Sequence, residues 1–219
     1  MKHIALLTTL LLSASLQAVE KPYDYVFFEN SLMKGDYFYS QAKYTSPSWI
    51  KNARHHLPVA GSVAFTPGNS LELTYVSAPG GDWYSEIQYC PVRGNDFFRE
   101  PSTLSMQVRL RESMNAAALP NIAIRYADST YTQYLNLRNY LKDTRPGVWH
   151  SVSIPLEDFG LNAVNDTNIK KLAAVALRPG TADGNEYTIY LDDIELLPAS
   201  LPSVSALNAP VLQEAKAYE

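Results

Sequence analysis

The sequence predicts an all-β protein, and three observations carry that reading. Residues 147–196 hold three apolar-rich runs of strand character, GVWHSVSIPLEDFG, KKLAAVALRPG and EYTIYLDDIELL, separated by turn residues. The run TLSMQVRLR alternates cleanly, with Leu104, Met106, Val108 and Leu110 on one face and Gln107, Arg109 and Arg111 on the other. Helix is written only as one short turn, over 156–160.

Taken in order, residues 1–18 read as a signal peptide. Lys2 and His3 supply the polar start, IALLTTLLL the apolar core, and small residues ending at Ala18 the cleavage site. The apolar run is too short to span a bilayer, so the expectation is export to the periplasm, the cell surface or the medium, without membrane insertion. The folded domain is expected over 19–198, entered by a short aromatic strand at 24–30.

Between 31 and 58 the period is lost while Tyr37, Phe38, Tyr39, Tyr44 and Trp49 accumulate among turn formers. Such a segment in a compact domain covers something or binds something. His55 and His56 are adjacent on it without a nearby carboxylate, which suits solvated or packed rings better than metal ligands. Three strand-like runs follow at 62–68, 70–78 and 82–90, punctuated by Pro67-Gly68-Asn69 and Pro79-Gly80-Gly81. Trp83 and Tyr84 sit at a strand mouth, where a ring can be presented to a ligand or to the core. Cys90 is the only cysteine, so no intramolecular disulfide is expected, and it reads as a buried, inert thiol.

The runs LPNIAIRY and YTQYLNLR place Ile122, Ile124, Leu135 and Leu137 inward, with Arg125, Gln133, Tyr134, Asn136 and Arg138 opposite. If these strands are neighbours, that face is a shallow platform of amide, guanidinium and phenol groups. Beyond 198 the composition turns to Pro, Ser and Ala, a linker or tail over 199–219.

Charge narrows the partners. The chain of 219 residues carries a net charge of −4 and no basic run, which excludes the electrostatic footprint of a nucleic-acid binder. Fifteen Tyr against seven Phe suits rings used half in water, although β proteins favour tyrosine in general. Asp192 and Asp193 interrupt an apolar strand. Buried carboxylates need a partner, for which a cation is the simplest remedy, and strict alternation sends the two side chains to opposite faces.

The series W-x-x-V-x-I-P-L-x-x-F from Trp149, followed by Y-L-D-D-I-E-L from Tyr190, resembles the closing half of galactose-binding-like jelly rolls. These are carbohydrate-binding modules appended to bacterial glycoside hydrolases. The resemblance implies an antiparallel β-sandwich of jelly-roll type over about 24–198, a polysaccharide or oligosaccharide ligand, and further domains or glycoside hydrolase partners. It also implies a structural calcium, held by the last strand's Asp192 with Glu29 near the first strand; Glu29 is otherwise an exposed strand-end carboxylate. The expected ligand-binding residues are Trp83, Tyr84, Trp49, Tyr39, Tyr134 and Arg138. Sugar rings lay C–H patches on aromatic faces, and their hydroxyls pair with planar amide and guanidinium groups.

Enzyme patterns are missing from the sequence. The alternating E-x-D-x-x-E of a jelly-roll glucanase does not occur, nor does the Q-I-H strand of a lyase, nor G-x-S-x-G or H-E-x-x-H. The expected activity is therefore non-catalytic polysaccharide binding. Its rivals are a structural or protein-interaction domain of the same fold and a small lyase or hydrolase with an unrecognised site.

Overall fold

The computed structural model describes residues 25–89, 101–161 and 171–198. The leader at 1–18, Cys90 and the 199–219 tail lie outside the described residues. Two antiparallel sheets face each other. The larger runs β10 (Trp149–Pro155), β7 (Pro101–Leu110), β12 (Glu186–Pro198), β5 (Ser70–Val76) and β3 (Trp49–Ile50); β1 (Val26–Phe28) adds to β12 and β4 (Val59–Ala60) to β5. The smaller runs β2 (Ser40–Thr45), β6 (Asp82–Gln88), β11 (Leu172–Arg178), β8 (Asn121–Tyr126) and β9 (Leu135–Asn136).

Register follows from the alternation. Val152 lies opposite Met106 and Ile154 opposite Leu104, while Leu191 and Ile189 meet Val108 and Leu110 from the other side. These side chains face Trp83, Ile87, Ile122, Ile124, Val175 and Leu177 of the smaller sheet in one buried cluster. Each large apolar side chain so buried contributes roughly 1.5–3 kcal/mol. Part of the tyrosine surplus also goes inside: Tyr37 donates to Phe27 O at 2.7 Å and Tyr75 to Ala118 O at 3.0 Å, so buried rings also tie down backbone. The expected helical turn is present as a 3-10 turn at Leu156–Phe159, closed by Gly160 at φ 80°, but it is not the only one: 3-10 turns also form at Ala116–Ala118 and at Leu137–Asn139, the latter inside the run read as a strand, of which only Leu135–Asn136 pairs.

Three local expectations are corrected. Residues 62–68 form a loop instead of a strand. This loop folds over the outer face of the larger sheet, where Phe65 N–H and Thr66 N–H donate to Asp192 Oδ2 at 2.7 and 3.3 Å. The aperiodic 31–58 segment contains β2 and β3, whose sequences SQAKYT and WI offer no apolar alternation to read. Finally, Asp192 and Asp193 do not leave opposite faces. Asp193 has φ 45°, the pairing of β12 with β7 shifts between Asp192 and Glu195, and Thr66 reaches both carboxylates, its hydroxyl donating to Asp193 Oδ2 at 2.6 Å. A bulge of this kind re-aims one side chain and defeats period-2 reasoning locally.

Candidate functional site

The strand β6 reads DWYSEIQ, so period 2 sends Trp83, Ser85 and Ile87 inward and leaves Tyr84, Glu86 and Gln88 on the outer face of the smaller sheet. Across the pairing, Lys43 and Gln41 of β2 lie opposite Tyr84 and Glu86. On the other side, Ala176 and Ala174 of β11 lie opposite Glu86 and Gln88, and Ala123 and Arg125 of β8 come next.

The three alanines face outward yet are fully buried. The β8–β9 connection explains why. It folds back so that Tyr131 bridges to the backbone of Arg125, and its phenol donates to Glu86 Oε1 at 2.8 Å on β6. The ring therefore crosses β11, and only a small residue beneath it keeps it flat on the sheet. Tyr134 stacks beside it, with centroids 6.0 Å apart and planes inclined at 29°. Arg178, at the end of β11, donates from Nε to the Tyr134 hydroxyl at 3.1 Å and pairs through Nη1 with Asp82 Oδ2 at 3.3 Å. Tyr84 donates to Gln41 Oε1 at 3.0 Å, and Lys43 Nζ lies 6.0 Å from its ring centroid.

Electrostatics fix these groups in place. Glu86 is only 4% exposed and forms an ion pair with Arg125 Nε at 2.9 Å, the N–H being angled away from a hydrogen bond. Removing either partner leaves the other charge poorly compensated. Burial, then the Glu86 hydrogen bond and charge, pushes the Tyr131 phenol up to about 12. Burial also raises Tyr84, helped by Glu86, and raises Tyr134 against the opposing Arg178. All three phenols are thus neutral donors at physiological pH. At the Asp82 end a shallow depression of about 280 Å³ opens, lined by Lys43, Tyr44, Thr45, Asp82, Trp83, Tyr84 and Arg178. The result is a wet surface of half-exposed rings interleaved with fixed polar groups.

The sequence pattern of the family described as Carbohydrate binding domain 30 matches residues 24–197. The chain belongs to this carbohydrate-binding family. Solved structures agree on the fold. A family 30 carbohydrate-binding module superposes with a TM-score of 0.59 at 17% identity, covering 88% of this chain and 94% of that one. The family 30 module of a cellulosomal cellulase of Clostridium thermocellum does so with a TM-score of 0.57 at 17% identity, over 81% and 99%. A β-1,2-glucanase from Parabacteroides distasonis matches at 99% identity and a TM-score of 0.81, over 91% of this chain and 29% of that one. The chain thus spans under a third of the glucanase's length.

Within this family 30 domain the expected site residues part company. Tyr84 and Tyr134 share the outer face of the smaller sheet. Trp83 does not: neighbouring residues of a strand point to opposite faces, and its ring is 1% exposed, donating from Nε1 to Ser77 Oγ at 2.9 Å. Trp49 belongs to the larger sheet, paired with Val76. Tyr39 precedes β2 at the far end of the face, half-buried against Tyr37 and Phe38. Arg138 is exposed in the 3-10 turn after β9, and Arg178 instead meets Tyr134. Tyr131, Glu86, Asp82 and Arg178 share this face with Tyr84 and Tyr134 and do not stand out in the sequence. Their readable signal was LAAVALR, where alanine at the outward positions of a strand marks something lying over it.

The oxygens of Asp192 are taken up by backbone donors. Asp192 is fully buried and accepts from Phe65 N–H and Thr66 N–H at Oδ2 and from Asp193 N–H at Oδ1, 2.9 Å away. Backbone donors aimed at this carboxylate supply the partner its burial requires without calling on a cation. Glu29 follows β1, whose Phe28 pairs with Ile194 beyond the bulge. Among the described residues, no three His, Cys, Asp or Glu side chains are grouped to hold a metal ion.

Proposed function

We propose that the domain holds a β-glucan on the tyrosine face of its smaller sheet and keeps an attached glucanase near its polymer without performing chemistry itself. One observation carries this reading. Tyr84, Tyr131 and Tyr134 are held half-exposed on an outer sheet face by Gln41, Glu86 and Arg178, a surface that offers stacking and neutral hydrogen bonding together. The near-identity to part of a β-1,2-glucanase makes β-1,2-glucan the first ligand to test. The leader-like residues 1–18 support export, where polymeric glycans are met.

A catalytic role has little to work with on this face. Its carboxylates, Asp82 and Glu86, are four residues apart on one strand. At about 3.3 Å per residue they are separated by roughly 13 Å. Glycosidic acid and base pairs sit about 5–9.5 Å apart. Glu86 is moreover sealed by Arg125 and Tyr131.

Affinity electrophoresis of the domain in gels containing β-1,2-glucan, β-1,4-glucan or xylan tests the reading. Retardation by a glucan, lost in Tyr134→Ala with unchanged melting, is the expected result. A folded domain retarded by none of them, or equally retarded after Tyr134→Ala, refutes the role of the face.

A further inference from the structure

The depression at the Asp82 end of the face has a chemistry of its own. Its volume, about 280 Å³, lies at the lower edge of the range for ligand pockets, about 300–1,000 Å³, so it takes a single ring better than a length of chain. Arg178 and Asp82 stand in it as an ion pair whose side chains are 42% and 51% exposed, each at the end of its strand. Exposed pairs of this kind add little to stability, about 0–1 kcal/mol. Two fixed contacts nevertheless orient the guanidinium: Nε to the Tyr134 hydroxyl and Nη1 to Asp82 Oδ2. What remains is the outer part of a planar fork of donors beside a carboxylate acceptor, flanked by the rings of Tyr84 and Tyr134.

We propose that the Asp82–Arg178 pair reads two adjacent equatorial hydroxyls of one sugar residue, and so selects glucans by linkage. This rests on the reading of the tyrosine face as the glycan site. The chemistry is direct. Adjacent equatorial hydroxyls lie side by side nearly in one plane, each able to accept from guanidinium and donate to carboxylate, and a fork matches two such oxygens where a point charge matches one. Inside a β-1,2-linked glucan every residue keeps its hydroxyls at C3 and C4, and inside a β-1,4-linked glucan those at C2 and C3. Inside a β-1,3-linked glucan the free hydroxyls sit at C2, C4 and C6, and no two are adjacent. A β-1,3 chain therefore leaves part of the fork and the carboxylate unmatched after both have lost water. Mismatch of that kind discriminates more strongly than a missing apolar contact.

The test measures dissociation constants of the full chain for soluble β-1,2-glucan, β-1,4-glucan and a long linear β-1,3-glucan whose chain ends are too dilute to contribute. The same series is run on Arg178→Lys, which keeps the charge and loses the fork, on Asp82→Asn, and on Tyr84→Ala. The expected pattern is binding of the first two glucans at least about tenfold tighter than the third. Asp82→Asn, which keeps the Arg178–Tyr134 contact, should lose about tenfold on the first two and hardly change on the third, and Arg178→Lys, which also loosens Tyr134, should lose at least as much on the first two and clearly less on the third, both melting like the wild type. Tyr84→Ala should weaken all three together. Equal affinity for the three linkages, or full affinity in Arg178→Lys and Asp82→Asn, overturns the pair's role while leaving the face intact. A wild-type domain that binds none of the three overturns the face and the pair together.

Discussion

Trp83 and Tyr84 are neighbours in sequence with opposite duties, and replacing each by alanine separates fold from recognition. Trp83 is 1% exposed, its ring centroid 4.7 Å from that of Tyr75 and its indole N–H bonded to buried Ser77. Truncating a buried tryptophan costs about 3–5 kcal/mol, and Ser77 Oγ loses its donor as well. For a domain of this size each kcal/mol moves the melting point by about 2–4 °C, so Trp83→Ala should melt roughly 6–20 °C lower. Tyr84 is half-exposed, and its loss should leave melting almost unchanged. A stacked ring is worth about 0.5–1.5 kcal/mol, so Tyr84→Ala should weaken glucan binding roughly two- to tenfold. Differential scanning calorimetry and isothermal titration of the same samples read both quantities. If Trp83→Ala abolished binding at an unchanged melting point, or Tyr84→Ala collapsed the fold, β6 would have to face the other way, with Trp83 toward ligand and Tyr84 toward the core.

Three further outcomes are expected. Burial, reinforced by the Asp193 charge and opposed by the Phe65 N–H bond, raises the Asp192 carboxyl to about 7, so the folded state favours its protonated form. The stability this gives is complete below about pH 4 and lost as pH climbs through about 7. Urea melts at pH 5 and pH 8 should show it, and Asp192→Asn should abolish the difference and cost about 1–3 kcal/mol by opposing an amide N–H to a backbone donor. The Tyr131 phenol, held up to about 12, should titrate late in an absorbance difference between wild type and Tyr131→Phe, and Glu86→Gln should bring it down toward its ordinary value. Its contribution to folding is present below about pH 10 and lost as pH rises through about 12. Gly81→Ala places a Cβ against Ser48 N and 2.7 Å from Thr45 O, so the Thr45–Ser48 turn must shift, and both melting point and affinity should fall because Thr45 rims the depression.

Strands whose two faces differ in chemistry could be read directly. The alternation of TLSMQVRLR, VSI and YTIYL fixes β7, β10 and β12 and their register in the core. Where the strand is polar throughout, as in SQAKYT of β2, no period exists to detect, and only pairing with β6 defines it. The 62–68 run alternates like a strand but spends its N–H groups on Asp192, a contact 126 and 127 residues distant along the chain. The site divides in the same way. Tyr84 and Tyr134 carry their own surface chemistry and were accessible to sequence reasoning. Tyr131 and Arg178 matter because strand order β6-β11-β8 brings them over and beside the alanines of β11, and strand order is not written in any local window. Trp83 was equivocal at the turn, yet the SEI that follows it already set its face inward.

A crystal structure of the domain with a bound glucan oligosaccharide tests the central claim most directly. Sugar rings should lie over Tyr84, Tyr131 and Tyr134, with one residue seated between Asp82 and Arg178. A saccharide resting instead on the outer face of the larger sheet, beside Trp149 and Tyr190, would contradict the assignment.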